Sequence, residues 1–500
     1  MAGRIRWLGI GMVVCFLALF LQLNNVQVKN AHRYATDQHN PAVNAAKYDQ
    51  PRGIIQSADG VLLAQSVAVK KPCRYCYKYV RQYPQGPLFA HITGYLPIGG
   101  LVTGVENTYG SYLAQHNRPV KTIRDLLTTP VETDTVTLTL SSKLQLTAQQ
   151  ALRGRDGAIV VLDPGTGAIR AMYSNPTFDP NPLAVNDATT VANAYAADTK
   201  VDPATGFSPA ASLAYQDIFP PGSTFKVVTA TAAYQYAPKL VNTPMPSYGC
   251  IPGGTLGGQA SNRPLCNYGG AAALPCGGTI AQMLPPSCDT GFALLGARVG
   301  ATAMTAEADA FGFNQQPPID LPPSRYEVSK FLQPACYGGQ QIFLANSSIG
   351  QQCTVASPLQ MALVAAGIAN GGVVMTPHVM YQIRDSQNNL VSLYQPTAWH
   401  RAASQATASA LNGLMVNVVR GGTASQVGFP AADDVAAKTG TAQIGLSNNA
   451  TTDWMIAFAP ASQPKVAVAV VIPHQALSAT GAEIAGPVVK TMIQAALAGQ

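Results

Sequence analysis

The sequence predicts an α+β protein: an antiparallel sheet flanked by helices, with a small membrane-proximal domain and one transmembrane helix ahead of it. Three observations carry this reading. One apolar run lies near the N-terminus, two strand hairpins stand far apart within residues 156–472, and helical periodicity fills the chain between and after them. At 500 residues the chain is several times the size of a common domain, so more than one is expected.

The apolar run comes first. Arg4 and Arg6 precede an uncharged stretch, residues 7–28, whose apolar part reads WLGIGMVVCFLALFL. About 20 apolar residues cross a bilayer, and Gln22 to Asn25 suit the interface beyond it. A cleaved signal peptide would close its apolar core with a small-x-small site, which QLNNVQV does not offer. An uncleaved signal anchor follows: residues 1–6 cytoplasmic, 7–28 in the membrane, everything from 29 outside. Lys29 and Arg33 weaken the charge asymmetry, but no second run has spanning length, so the topology is single-pass. Localisation at the cell membrane with an extracytoplasmic bulk is the expectation.

Composition narrows the rest. Hydrophobic residues make up 47% and charged residues 11%, well below the roughly 25% charge of an average soluble chain, which excludes disorder as the main state. A net charge of +7 without a dense Lys/Arg block disfavours a nucleic-acid partner. Of nine cysteines, Cys15 falls in the apolar run; the others lie outside, where disulfides are expected and their pairing stays open. Cys73 and Cys76 have no second CxxC and no neighbouring His pair, and read as a structural bridge. Cys250, Cys266 and Cys276 sit in a Gly/Pro-rich stretch that a cross-link would restrain.

Beyond the anchor the chain divides at about residue 150. Residues 29–150 are polar and irregular with strand-like fragments such as GVLLAQSVAV at 60–69. Residues 151–500 are strongly patterned. GAIVVLD and AIRAMY around the turn PGTG form one hairpin; DWMIAFAPA and KVAVAVVI around Ser462-Gln463-Pro464 form another. Residues 483–498 have helical spacing and are expected to pack on the sheet, which the two ends of this region close together.

Three short motifs carry chemistry. In FPPGSTFKVVTATAAYQY, Pro220, Pro221 and Gly222 break the chain before Ser223 opens a helical segment. Ser223 and Lys226, three apart, share a helix face, so the amine can reach the hydroxyl. The hydroxyl also lies at a helix N-terminus that favours negative charge. Serine is a poor nucleophile unless a neighbouring base takes its proton, which a lysine of lowered pKa can do. Ser287-Cys288-Asp289 precedes another helical start. Lys438-Thr439-Gly440-Thr441 reads as an edge strand with a cation and two hydroxyls, where Gly440 permits close approach of a ligand. Ser223 alone is equally a helix cap, and Ser462-x-x-Lys465 repeats the first spacing in a hairpin turn. The three together, in this order, are specific.

That ordered set resembles the active site of penicillin-binding proteins and serine β-lactamases. Residues 156–181, 220–230, 357–378, 436–443 and 454–461 are similar to the transpeptidase domain of class B penicillin-binding proteins. Residues 51–66, with Arg52-Gly53, together with 80–95 and 104–113, resemble their membrane-proximal module. Overall length and the short N-terminal module look most like actinobacterial members.

The resemblance implies a penicillin-binding fold and a peptidoglycan D,D-transpeptidase. Ser223 would attack the carbonyl between two D-alanines of a stem peptide, Lys226 would take its proton, and Ser287 would relay a proton to the departing amine. Lys438 would supply positive potential. Thr439 and Thr441 would hold the terminal carboxylate, with Gly440 and Gln443 lining the same strand. Backbone N–H groups of Ser223 and Thr441 would hold the oxyanion, one such donor being worth about 3 kcal/mol. Asp289 departs from the family pattern, which has Asn there; ionised beside Lys226 it would raise the lysine pKa. The chemistry needs no metal or other cofactor, and none of the seven His lies in a ligand-like pair. Implied partners are stem peptides, β-lactams, the membrane and a SEDS-type glycan polymerase. A D,D-carboxypeptidase or β-lactamase would use the same motifs, but no convincing Glu-x-x-Leu-Asn motif is present. A non-catalytic penicillin sensor or scaffold is the other alternative, motivated by Asp289.

Overall fold

The computed structural model describes residues 2–30, 33, 48–69, 77–97, 100–117, 131–256, 264–322, 327–444 and 449–499; Cys73 and Cys76 lie outside them. Helix α1 (Ala2–Asn24) carries the apolar run, and Arg6–Lys29 is long and apolar enough to cross a membrane. Its apolar side chains are exposed: Trp7 is 73% exposed and Phe16 67%.

The N-terminal module is built on a sheet of short strands: β1 (Ile55–Gln56), β2 (Leu62–Ala68) and β3 (Tyr79–Gln82). A separate two-strand ribbon joins β4 (His116–Asn117) to β5 (Val131–Glu132), and β6 (Thr135–Leu138) returns to pair in parallel with β1. The strand expected at 60–69 is therefore present as β2. Arg52-Gly53 has a packing reason. A Cβ on Gly53 would stand 1.8 Å from the Asp134 carbonyl oxygen, so only glycine lets the two chains pass. Arg52 meanwhile reaches Glu106 at 3.2 Å, and Arg81 reaches the same buried carboxylate at 2.5 Å. Two guanidinium groups on one carboxylate offset the cost of burying it.

This sheet is not confined to the first part of the chain. Met380–Arg384 pairs antiparallel with β6, and Leu390–Leu393 pairs with Met380–Arg384, giving six strands in all. A boundary near residue 150 divides the composition but not the hydrogen bonding.

After helix α2 (Ser142–Leu152), capped by Ser141, come β7 (Gly157–Leu162) and β8 (Ile169–Asn175), the first expected hairpin. Helices α3 (Lys226–Tyr236), α4 (Asp289–Val299), α5 (Pro358–Ala369) and α6 (Gln405–Gly421) fill the middle. Strands β9 (Ala436–Ile444), β10 (Ala450–Ala459) and β11 (Val466–Ala476) follow, and the second expected hairpin is β10–β11. The five-stranded order is β9-β10-β11-β7-β8, antiparallel throughout, so β11 brings the end of the chain beside β7.

Every residue of β7 is buried, as are the first eight of β11, which explains why these strands read as continuous apolar runs. Both faces are covered. Helix α5 packs on β11, β7 and β10, entered through Ser357 as N-cap and Pro358 at the first turn. Helix α8 (Gly486–Ala498) packs on β11, β10 and α2, preceded by the short α7 (Gly481–Ile484). The helix expected over 483–498 is divided at Ala485: a capping box of Thr480 and Glu483 opens the short α7, and α8 follows from Gly486. Among the described residues three disulfides are formed, Cys250–Cys266, Cys276–Cys288 and Cys336–Cys353.

Candidate active site

Three elements converge on one pocket wall. Residues Gly222–Phe225 make a 3-10 turn that leads into α3, with Lys226 as the first α-helical residue. Gly222 has φ 52° and stands where a Cβ would lie 3.0 Å from the Thr441 backbone. A side chain there would be strained in conformation and crowded by β9, so the glycine seats Ser223 against that strand. Trp454 Nε1 on β10 donates to the Pro220 carbonyl at 2.9 Å and fixes the same loop from below.

Ser287 sits just before α4 in a left-handed conformation, φ 63°, uncommon for a residue with a Cβ. Its neighbour Cys288 is buried and bonded to Cys276, so the strained turn is held on both sides. Strand β9 brings Lys438, Thr439, Gly440 and Thr441 along the edge of the five-stranded sheet, the position expected from the sequence. Gly440 does allow close approach, but what approaches is the loop of Ser223: a Cβ would meet the Pro221 oxygen at 2.7 Å and Thr224 at 2.9 Å.

The polar groups form one network. Lys226 Nζ donates to Asp289 Oδ1 at 2.6 Å, to the Ser287 carbonyl at 2.6 Å and to Ser287 Oγ at 3.3 Å. Lys438 Nζ donates to the same Ser287 Oγ at 2.8 Å and to the Thr439 carbonyl at 2.9 Å. Ser223 Oγ donates to Asp289 Oδ1 at 3.3 Å. Both lysines are fully buried. Burial pushes the Lys226 ammonium below the usual lysine value, while the Asp289 carboxylate pulls it back up. Lys438 is pushed further down, by burial first and then by the charge of Lys226.

One expectation from sequence is modified here. The Ser223–Lys226 spacing predicts that the amine meets the hydroxyl directly, yet the hydrogen bonds of both run to Asp289 Oδ1. The 3-10 geometry stacks the two residues on one side, and a carboxylate between them is a stronger acceptor than the hydroxyl. The fear that Asp289 would raise the lysine pKa is right in sign, but burial outweighs it.

Thr439 and Thr441 are reached by groups that the motifs did not point to. Thr423 and Thr439 hydroxyls lie 2.6 Å apart, and the Gly481 amide donates to Thr441 Oγ1 at 3.0 Å. Asp453 stands opposite Thr441 on β10, fully buried. Burial pushes it up to about 7, helped by Glu483 and opposed by the Thr441 and Thr451 hydroxyls. Thr423, Asp453 and Gly481 belong to none of the three short motifs; each arrives through strand pairing or a turn distant in sequence. Gln443 is exposed near the end of β9 and makes no side-chain hydrogen bond among the described residues.

Comparison with known proteins gives consistent matches. Residues 157–494 match the penicillin binding protein transpeptidase domain, and residues 52–133 the penicillin binding protein A dimerisation domain. The peptidoglycan D,D-transpeptidase PbpA of Mycolicibacterium smegmatis is 34% identical over 99% of this chain and 99% of its own length. PbpA of Mycobacterium tuberculosis is 33% identical, with 100% of both chains covered. The ceftriaxone acyl-enzyme of penicillin-binding protein A from M. tuberculosis superposes with a TM-score of 0.79 at 32% identity, covering 91% of this chain and 100% of that one. Its penicillin G acyl-enzyme gives a TM-score of 0.77 at 33% identity, over 90% and 100%. With its motifs gathered at one strand edge and its whole length matched, the chain belongs to the class B penicillin-binding proteins.

Proposed function

We propose that this protein is a peptidoglycan D,D-transpeptidase working through an acyl-enzyme on Ser223, and that β-lactams inhibit it by acylating the same oxygen. The supporting observation is the single network joining Ser223, Lys226, Ser287, Asp289 and Lys438, contributed by three distant stretches of chain.

In this reading Ser223 Oγ attacks the carbonyl between the D-alanines as its proton passes to Lys226, directly or across Asp289. Burial of Lys226 lowers its pKa and so shifts it toward the neutral amine that this step requires. The tetrahedral oxyanion rests on the Ser223 and Thr441 amides. Ser287, bonded to both lysines, passes a proton to the departing D-alanine nitrogen, and the C–N bond breaks. An amine of a neighbouring stem then attacks the ester, releasing Ser223 and forming the cross-link. Lys438 and the Thr439 and Thr441 hydroxyls hold the carboxylate end of the donor, beside Gly440; Gln443 serves the outer part of the cleft.

The same reading assigns residues 1–6 to the cytoplasm, 7–28 to a single membrane crossing, 29–150 to a membrane-proximal module and 151–500 to an extracytoplasmic transpeptidase domain. A SEDS-type polymerase would supply the glycan. The test is intact-protein mass after penicillin treatment. One adduct is expected on the parent chain and none on Ser223→Ala; an adduct that survives the substitution overturns the assignment.

A further inference from the structure

A second group of chemically suited side chains lies in the N-terminal module, away from the acyl-transfer site. The β4–β5 ribbon sets His116 opposite Glu132, and Asp134 follows as the chain enters β6. The three side chains offer ligand atoms all within 4.8 Å of one another. His116 Nε2 stands 3.6 Å from Asp134 Oδ1. About 3.3–3.5 Å separates neighbouring ligand atoms around a tetrahedral zinc ion, given zinc–nitrogen and zinc–oxygen distances near 2.0–2.1 Å.

Two further details point to a cation. Asp134 is only 2% exposed, and its Oδ1, the atom facing the histidine, has no hydrogen-bond partner among the described residues. A buried carboxylate oxygen left in that state is costly. His116 Nδ1 lies 3.1 Å from the Ala114 carbonyl oxygen, which can only accept, so Nδ1 carries the hydrogen. Nε2, the other ring nitrogen, faces the Asp134 oxygen. This is the arrangement in which a backbone carbonyl orients a metal-binding imidazole. Glu132 is similarly held: Ser386 Oγ donates to its Oε2 at 2.9 Å, leaving the other oxygen for a ligand bond.

We propose that His116 Nε2, Glu132 and Asp134 Oδ1 bind one divalent transition-metal ion of the zinc class, with solvent at the open position. One imidazole and two carboxylates suit zinc better than calcium or magnesium, which prefer all-oxygen shells. The ion is structural. It ties the β4–β5 ribbon to the start of β6 and, through Ser386, to the turn after Met380–Arg384. Transpeptidation does not use it.

The test uses the untagged full chain in detergent, stripped with a chelator and titrated with Zn²⁺ alone by calorimetry, with melting followed in parallel. One ion per chain and a raised melting temperature are expected, and Mg²⁺ or Ca²⁺ should not substitute. His116→Ala and Asp134→Asn should each weaken binding by more than about tenfold. Penicillin labelling of both variants should remain at the parent level, which shows that they are folded. Absence of saturable binding overturns the proposal, as does binding that survives both substitutions. A melting temperature that follows histidine titration but ignores Zn²⁺ also overturns it, in favour of a plain His116–Asp134 ion pair.

Discussion

Asp289 is the residue on which the pocket's electrostatics turn. Its Oδ1 accepts from both Ser223 and Lys226, so one oxygen stands where the proposed nucleophile and base would otherwise meet. Removing its charge while keeping its shape separates the two effects acting on Lys226. In Asp289→Asn only burial remains to act strongly, and the lysine pKa falls further. Since the base must be neutral to accept a proton, the acidic limb of the acylation rate should move to lower pH, by about 1–3 units. Stopped-flow acylation with a fluorescent penicillin across pH measures this. An unmoved limb would mean that Asp289 does not set the base. The motif residues themselves were legible because Ser-x-x-Lys, Ser-x-Asp and Lys-Thr-Gly-Thr each place their groups within one turn or strand. The rerouting of the Ser223 proton toward Asp289 was not, because it depends on how α3 and α4 dock.

At the scale of elements, the β9–β10 pair carries more than the proposed substrate edge. Its register sets Asp453 behind Thr441, where burial holds the carboxyl near 7 against an ordinary 3.8. Between those two values the folded chain keeps a proton that the unfolded chain has released. Stability therefore falls as pH rises through that window, and the penalty is complete above it. Asp453→Asn removes the titration without removing the shape. Its melting temperature should exceed that of the parent at about pH 8 and match it near pH 4, by scanning calorimetry at both. Equal curves at both pH values would refute this. Hairpins β7–β8 and β10–β11 were readable from their continuous apolar runs and turn residues. Thr423, Asp453 and Gly481 were not, since only three-dimensional register brings them to β9.

The whole molecule departs most from its linear description. Composition changes near residue 150, yet Met380–Arg384 and Leu390–Leu393 complete the sheet begun by β1 and β2. No local pattern announces a strand that pairs across more than 200 residues, as Arg384 does with Thr135. Shared hydrogen bonding of this kind couples the two modules in unfolding. The chain lacking its first 30 residues is expected to melt in one calorimetric transition; two well-separated transitions would show that the modules fold independently.

That borrowed pair of strands also limits how the enzyme can reach its second substrate. A module that lends edges to its neighbour cannot act as a swivel, so the pocket rides as a fixed attachment on its base. The incoming stem must therefore be delivered by movement of the glycan, or of whatever extrudes it, to an acyl group that waits in place.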